Sequence, residues 1–187
     1  MTRLSGNRRR WLLAAFAFAV VILVGFVVYL TTPAHREIPG GHSLELSLND
    51  FAAISADGAI RVQVESTLAA VEARLGRPAE QTILSPGGGG AISVEQLIYP
   101  GLTIQYARAD GTILAVAIRN RDYHTPRGIT IGDREGSVLR AYGTPTYRFQ
   151  GNLQYVLAPT GKIDRYQLTF VISSSRVSTI WAFIPVQ

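Results

Sequence analysis

Cysteine is absent from this chain, which excludes a disulfide scaffold, thiolate-bound zinc, an iron–sulfur cluster, a thiol nucleophile and a lipid-modified cysteine. Histidine is scarce, with three in 187 residues, and His35 and His42 fall in a Pro/Gly-rich stretch. A broad excess of positive charge is missing as well. Of 18 Lys and Arg against 13 Asp and Glu, Arg3, Arg8, Arg9 and Arg10 lie in the first ten residues, where no acid occurs. The rest of the chain is nearly balanced, so the formal charge of +5 does not point to nucleic acid as a partner.

What is present first is a long apolar run. Trp11–Leu30 is uncharged, with only Gly25 to weaken a helix. At about 1.5 Å per residue it matches the roughly 30 Å hydrocarbon core of a bilayer. Trp11 and Tyr29 stand near its ends, and Arg8–Arg10 precede it. The pattern predicts a single-pass signal-anchor, with a cytoplasmic basic tail at 1–10, a transmembrane helix at 11–30 contacting the membrane, a linker at 31–43 and an extracytoplasmic remainder. A cleaved leader ending near Thr32-Pro33-Ala34 is the alternative, and it exports the same residues.

Within the exported part, two segments match at a constant offset. Val62 and Ile129, Val71 and Val138, and Pro78 and Pro145 are each 67 positions apart. Further on, Leu102-Thr103-Ile104 lies 66 before Leu168-Thr169-Phe170, Ile113 lies 64 before Val177, and Tyr99 lies 67 before Tyr166. In each segment Ser66 or Asp133 suits a helix cap, Leu68, Val71 and Leu75 or Val138, Leu139 and Tyr142 form an apolar stripe, and Gly76 or Gly143 suits the helix end. Alternating runs come next: Ile92–Tyr99, Leu102–Arg108 and Ile113–Arg119, then Leu153–Leu157, Ile163–Ile172 and Arg176–Ile184. The expected fold class is α+β: after the transmembrane helix, two repeated units (44–122 and 123–187), each a short helix packed on an antiparallel meander.

The stretch Tyr123-His-Thr-Pro-Arg-Gly-Ile-Thr-Ile-Gly-Asp133, followed by Val138, Tyr142-Gly143-x-Pro145 and a final hairpin, resembles the superfamily containing the small lipoprotein of the outer-membrane β-barrel assembly machinery and the tandem-repeat β-lactamase inhibitor protein. Residues 123–184 carry the likeness. The first segment departs from it, with Glu65 where Gly132 would stand, and the lipid-bearing cysteine is missing. The resemblance implies small helices on an antiparallel sheet and a binding or assembly role without catalysis.

Candidate chemistry is thin. Pro86-Gly87-Gly88-Gly89-Gly90 lacks the lysine and hydroxyl residue that complete a phosphate loop. His35, Glu37 and His42 lie in a linker without fixed geometry, so neither a metal nor another cofactor is expected. Asp133 and Glu135 read as first-turn carboxylates rather than an acid–base pair. Ser137 and His124 lack a G-x-S-x-G elbow. Strand alternation turns Gln105, Gln167 and Thr169 away from the helices, and Trp181 is either core or a partner anchor. These four residues are the candidate partner-binding set. The expected function is a non-catalytic, membrane-anchored extracytoplasmic protein-binding or envelope-assembly module, with another envelope protein as partner. A hydrolase-type extracytoplasmic enzyme and a ligand-sensing membrane protein are the alternatives.

Overall fold

Period-two alternation punctuated by glycine turns produces eleven strands among the described residues. The computed structural model describes residues 44–85, 92–157 and 166–184, all within a compact unit spanning Arg36–Gln187. Its strands are β1 (Ala52–Ser55), β2 (Arg61–Gln63), β3 (Glu80–Ser85), β4 (Val94–Tyr99), β5 (Leu102–Ala107), β6 (Ile113–Ile118), β7 (Tyr123–His124), β8 (Tyr147–Phe149), β9 (Asn152–Leu157), β10 (Tyr166–Ser173) and β11 (Arg176–Phe183). Two short helices, α1 (Leu68–Leu75) and α2 (Glu135–Tyr142), and a 3-10 turn at Leu48–Asp50 accompany them. Eight strands form one antiparallel sheet in the order β3-β4-β5-β6-β11-β10-β9-β8, and β2-β1-β7 form a small second sheet.

The expected architecture is corrected in two respects. The described structure is mostly strand, and it is not a pair of separate helix-on-meander units. β6 and β11 pair directly, with Ile118 opposite Ile180 and Ala115 opposite Phe183, so the strands run through one continuous sheet. Joining the edges satisfies main-chain groups that two independent units would each leave exposed. The anchor fares differently. Trp11–Leu30 lies outside the described residues, and among the described residues no helix is long and apolar enough to cross a membrane, so the transmembrane, single-pass signal-anchor description is withdrawn. α1 and α2 span eight residues each.

Both helices start one residue later than the capping pattern indicates. Thr67 caps α1 by accepting from Ala70 N at 3.3 Å, and Arg134 occupies the corresponding position of α2 without a side-chain bond. Ser66 instead donates to Gln63 O, and the Asp133 carboxylate accepts from Thr130 N, so each closes the turn ahead of its helix. Gly76 and Gly143 end the helices at φ of 72° and 73°, a region that favours glycine.

The core lies between the helices and one face of the large sheet. Val71 of α1 and Val138 and Tyr142 of α2 pack with Leu102, Ile104, Leu168 and Phe170. The Tyr142 ring lies 5.1 Å from Phe170 and 5.4 Å from Tyr155. Tyr99 and Tyr155 each donate to the glycine carbonyl ending a helix, Gly76 O at 3.2 Å and Gly143 O at 2.9 Å. Tyr155, not Tyr166, is therefore the counterpart of Tyr99. Phe51, Ala53, Val62 and Val64 of the amino-terminal elements complete the same core.

Candidate functional site

Alternate residues of the large sheet point away from the helices, and ladder register aligns them in rows. One row runs Gln96, Gln105, Ala115, Phe183, Gln167 and Val156 across β4, β5, β6, β11, β10 and β9. The next runs Thr103, Ala117, Trp181, Thr169 and Gln154. None of these residues belongs to the helix-side core. β6 contributes only Ala115 and Ala117 at the centre, both buried, beside the larger, half-buried Trp181 and Phe183 of β11. Trp181 is thus placed on the face away from the helices, half-buried, with the Arg119 guanidinium 4.9 Å from its ring centroid. That distance permits a cation–π contact. Burial pulls the Arg119 pKa down, but an arginine remains charged at neutral pH.

The structure brings all four candidate residues to this face in different states. Gln105 is half-buried and its Nε2 lies 3.4 Å from Gln96 Oε1. Gln167 is only 2% exposed and accepts from Gln154 Nε2 at 2.6 Å, so its amide is committed within the fold. The Thr169 hydroxyl is buried without a hydrogen-bond partner among the described residues. Gln105, Trp181 and the unassigned Phe183 are half-buried and supply the more accessible surface, and the Arg119 side chain, with its Nε and Nη2 buried, packs beside the tryptophan. A signal for the small side chains beside Trp181 was present in β6, where Ala115 and Ala117 alternate with Leu114, Val116 and Ile118.

A second polar group lies on the helix side. Glu95 is 6% exposed; it accepts from Tyr106 Oη at 2.5 Å and Gln81 Nε2 at 2.7 Å, and pairs with Arg108 at 3.2 Å. The tyrosine hydrogen bond, reinforced by Gln81 and Arg108, holds the Glu95 carboxyl below its usual range despite desolvation. Burial, then hydrogen bonding and charge from Glu95, pushes Tyr106 up to about 12. Such an arrangement fixes both protonation states at neutral pH, whereas acid–base catalysis favours a group poised to exchange its proton there.

The remaining candidates are dispersed. Glu135 pairs with Arg148 at 2.6 Å, while Asp133 closes its own turn, so the two carboxylates serve separate contacts. His124 Nδ1 lies 2.8 Å from Thr125 O on the small sheet, and Ser137 accepts from Arg140 on α2. An open depression of about 440 Å³ is lined by Arg134, Glu135, Gly136, Ser174, Ser175 and Arg176. Arg176 donates there to Gly132 O at 2.7 Å. Among the described residues no group of three or more His, Asp or Glu is placed to hold a metal. His35, Glu37, His42 and the Pro86–Gly90 run lie outside the described residues. Comparison with family models, curated proteins and solved structures finds no match to the chain.

Proposed function

We propose that this chain is a non-catalytic protein-binding module of the cell envelope, and that it binds another envelope protein through the sheet face turned away from its helices. One observation carries the reading: Trp181 and Phe183 stand half-buried on the outer side of β11, with Arg119 laid over the tryptophan. Aromatic side chains and arginine recur at the energetic centre of protein interfaces. The Gln96–Gln105 and Gln154–Gln167 pairs flank this centre and limit the side-chain ordering required on association. The resemblance of residues 123–184 to the assembly-lipoprotein and inhibitor superfamily also supports binding without catalysis. Arg8–Arg10 ahead of the uncharged Trp11–Leu30 supports a location outside the cytoplasm, since a leader of this composition exports the domain attached to it.

Photo-cross-linking residues placed separately at Gln105, Trp181 and Ala73 test the assignment; Ala73 is exposed on α1. Gln105 and Trp181 positions should yield the same discrete partner adduct, and Ala73 should not. Once that partner is isolated, Trp181→Ala should weaken its binding by about 30-fold, the scale of an interface hot spot. Cross-linking through Ala73 alone, or undiminished binding by Trp181→Ala, refutes the proposed face.

A further inference from the structure

The two edges of the large sheet differ. β8 spans three residues and carries Arg148. β3 spans six, Glu80–Ser85, contains no proline or basic residue, and has a single charged side chain. Glu80–Leu84 are all exposed, including Ile83 to 53% and Leu84 to 37%. Sheet edges are ordinarily protected by lysine, proline, bulges or a covering element, because unpaired N–H and C=O groups template another strand; the one irregularity of β3 falls between Ile83 and Ser85 and leaves Glu80–Ile83 in regular register. No described strand pairs with the outer side of β3.

The ladder determines which groups face outward. Arg108 N donates to Ser93 O at 2.9 Å, so Glu95 and Leu97, in alternation with Ser93, direct their main-chain groups toward β5. Val94, Gln96 and Ile98 face β3, opposite Ser85, Thr82 and Glu80. Gln81 and Ile83 consequently point their N–H and C=O groups out of the sheet edge. Their side chains stand on the helix face, while Thr82 stands with Gln96 on the opposite face.

We infer that β3 receives a second copy of this chain, edge to edge and antiparallel, about a two-fold axis at Thr82. Gln81 of each copy then lies opposite Ile83 of the other, and symmetry makes this exchange of main-chain hydrogen bonds occur twice. Thr82 faces its symmetry mate in the closer, non-hydrogen-bonded position, a favourable cross-strand pairing. Each Glu80 lies one step beyond the Gln81–Ile83 pair, beside the irregularity at Leu84, so the two carboxylates are separated by roughly 13 Å along the ladder instead of meeting. The self-complementary placement of polar, apolar and charged residues selects a second copy over a foreign strand. The short contact places the dimer below the roughly 1,200 Å² of a standard interface and makes association concentration-dependent.

Because the chain has no native cysteine, Thr82→Cys in the full chain introduces a single thiol. Facing Cα atoms about 4.5 Å apart at this ladder position fall within disulfide range. Purified in mild detergent and gently oxidised, this variant should form covalent dimer several-fold faster than Arg148→Cys on the opposite edge. Adding Ile83→Pro, which removes an outward-facing N–H, should reduce its rate to that control. In sedimentation, Thr82→Lys and Thr82→Glu chains should associate more strongly when mixed than either does alone. Equal cross-linking at the two edges, or no gain on mixing the charge variants, overturns the inference. A chain monomeric at every concentration overturns it too and leaves β3 to an extended peptide. These outcomes are independent of whether the outer sheet face around Trp181 binds an envelope protein.

Discussion

Asp50→Asn should destabilise the chain by about 2–3 kcal/mol at pH 7, and the loss should shrink in acid. Asp50 is 5% exposed and receives Arg127 Nε at 2.7 Å, Arg127 Nη2 at 2.9 Å and Ser47 N at 2.9 Å. The same guanidinium donates to Ala141 O at 3.0 Å and Glu45 O at 2.6 Å, and lies 4.8 Å from the Tyr142 ring centroid. It therefore ties the amino-terminal turn and the loop before α2 to the end of that helix. Removing one member of a fully buried ion pair costs about 3–5 kcal/mol. The Arg127 side chain is 22% exposed and retains its carbonyl acceptors after the substitution, which supports the smaller figure of about 2–3 kcal/mol.

The direction with pH has a definite sign. Burial raises the Asp50 pKa, but hydrogen bonds from Arg127 and Ser47 and the Arg127 charge outweigh it, leaving the folded value below 3.8. A depressed carboxyl pKa adds stability that is fully present above the unfolded value and lost as pH falls through the folded value. Urea unfolding of the full chain and Asp50→Asn, monitored by circular dichroism, should show a constant gap near neutrality that narrows below pH 3.8. The subtraction cancels titrations common to both chains. In an Arg127→Met background the Asp50→Asn penalty should be smaller, because the pair has already been broken. A gap below about 0.5 kcal/mol at neutral pH, or one that stays constant into strong acid, refutes the clasp and its linkage.

Val138 is completely buried, so Val138→Ala should cost about 1–3 kcal/mol in the same unfolding assay, from lost apolar burial plus a cavity. Gln167→Ala should cost about 1–2 kcal/mol because it strands the Gln154 amide beside a buried site, whereas Gln105→Ala should stay within about 0.5 kcal/mol. Equal penalties for the two glutamines would contradict the difference in their packing.

Local periodicity located much of the sheet because β4, β5, β6, β10 and β11 each carry apolar residues on a core-facing side. It did not locate β3, whose Glu-Gln-Thr-Ile-Leu-Ser run lacks alternation and whose side chains are exposed on both faces. Nor could it predict the β6–β11 junction, since strand pairing is a long-range choice that neither strand's pattern specifies. On the outer face the parity of Gln105, Gln167 and Thr169 was legible, but that of Trp181 was left open between core and partner anchor, and the accessibility of none of them was legible. Gln167 is sealed by its Gln154 bond, and Arg119 lies over Trp181; both depend on neighbours distant in sequence.

Glu65 shows how a sequence difference can conceal a shared backbone requirement. It has φ of 66°, and Gly132, at the corresponding position, has φ of 90°. Glu65 N donates to Ile113 O and Gly132 N to Val177 O, each at 2.8 Å, while Leu68 N to Gly111 O and Glu135 N to Ser175 O continue the correspondence. The same 67- and 64-residue offsets recur in the hydrogen bonds, although the residue types differ. Glycine adopts this region without steric cost; glutamate incurs about 1 kcal/mol and needs compensation. Its carboxylate receives the Tyr166 hydroxyl from β10, in the other half of the large sheet. A strained turn in one half is therefore fastened by a side chain from the other, a contact that requires the two meanders to form one structure. At Gly132 a Cβ would lie 2.5 Å from Arg121 Nη2, so a side chain there must displace the guanidinium as well as strain the backbone. The glycine missing from the first segment reflects a different tertiary solution to the same turn.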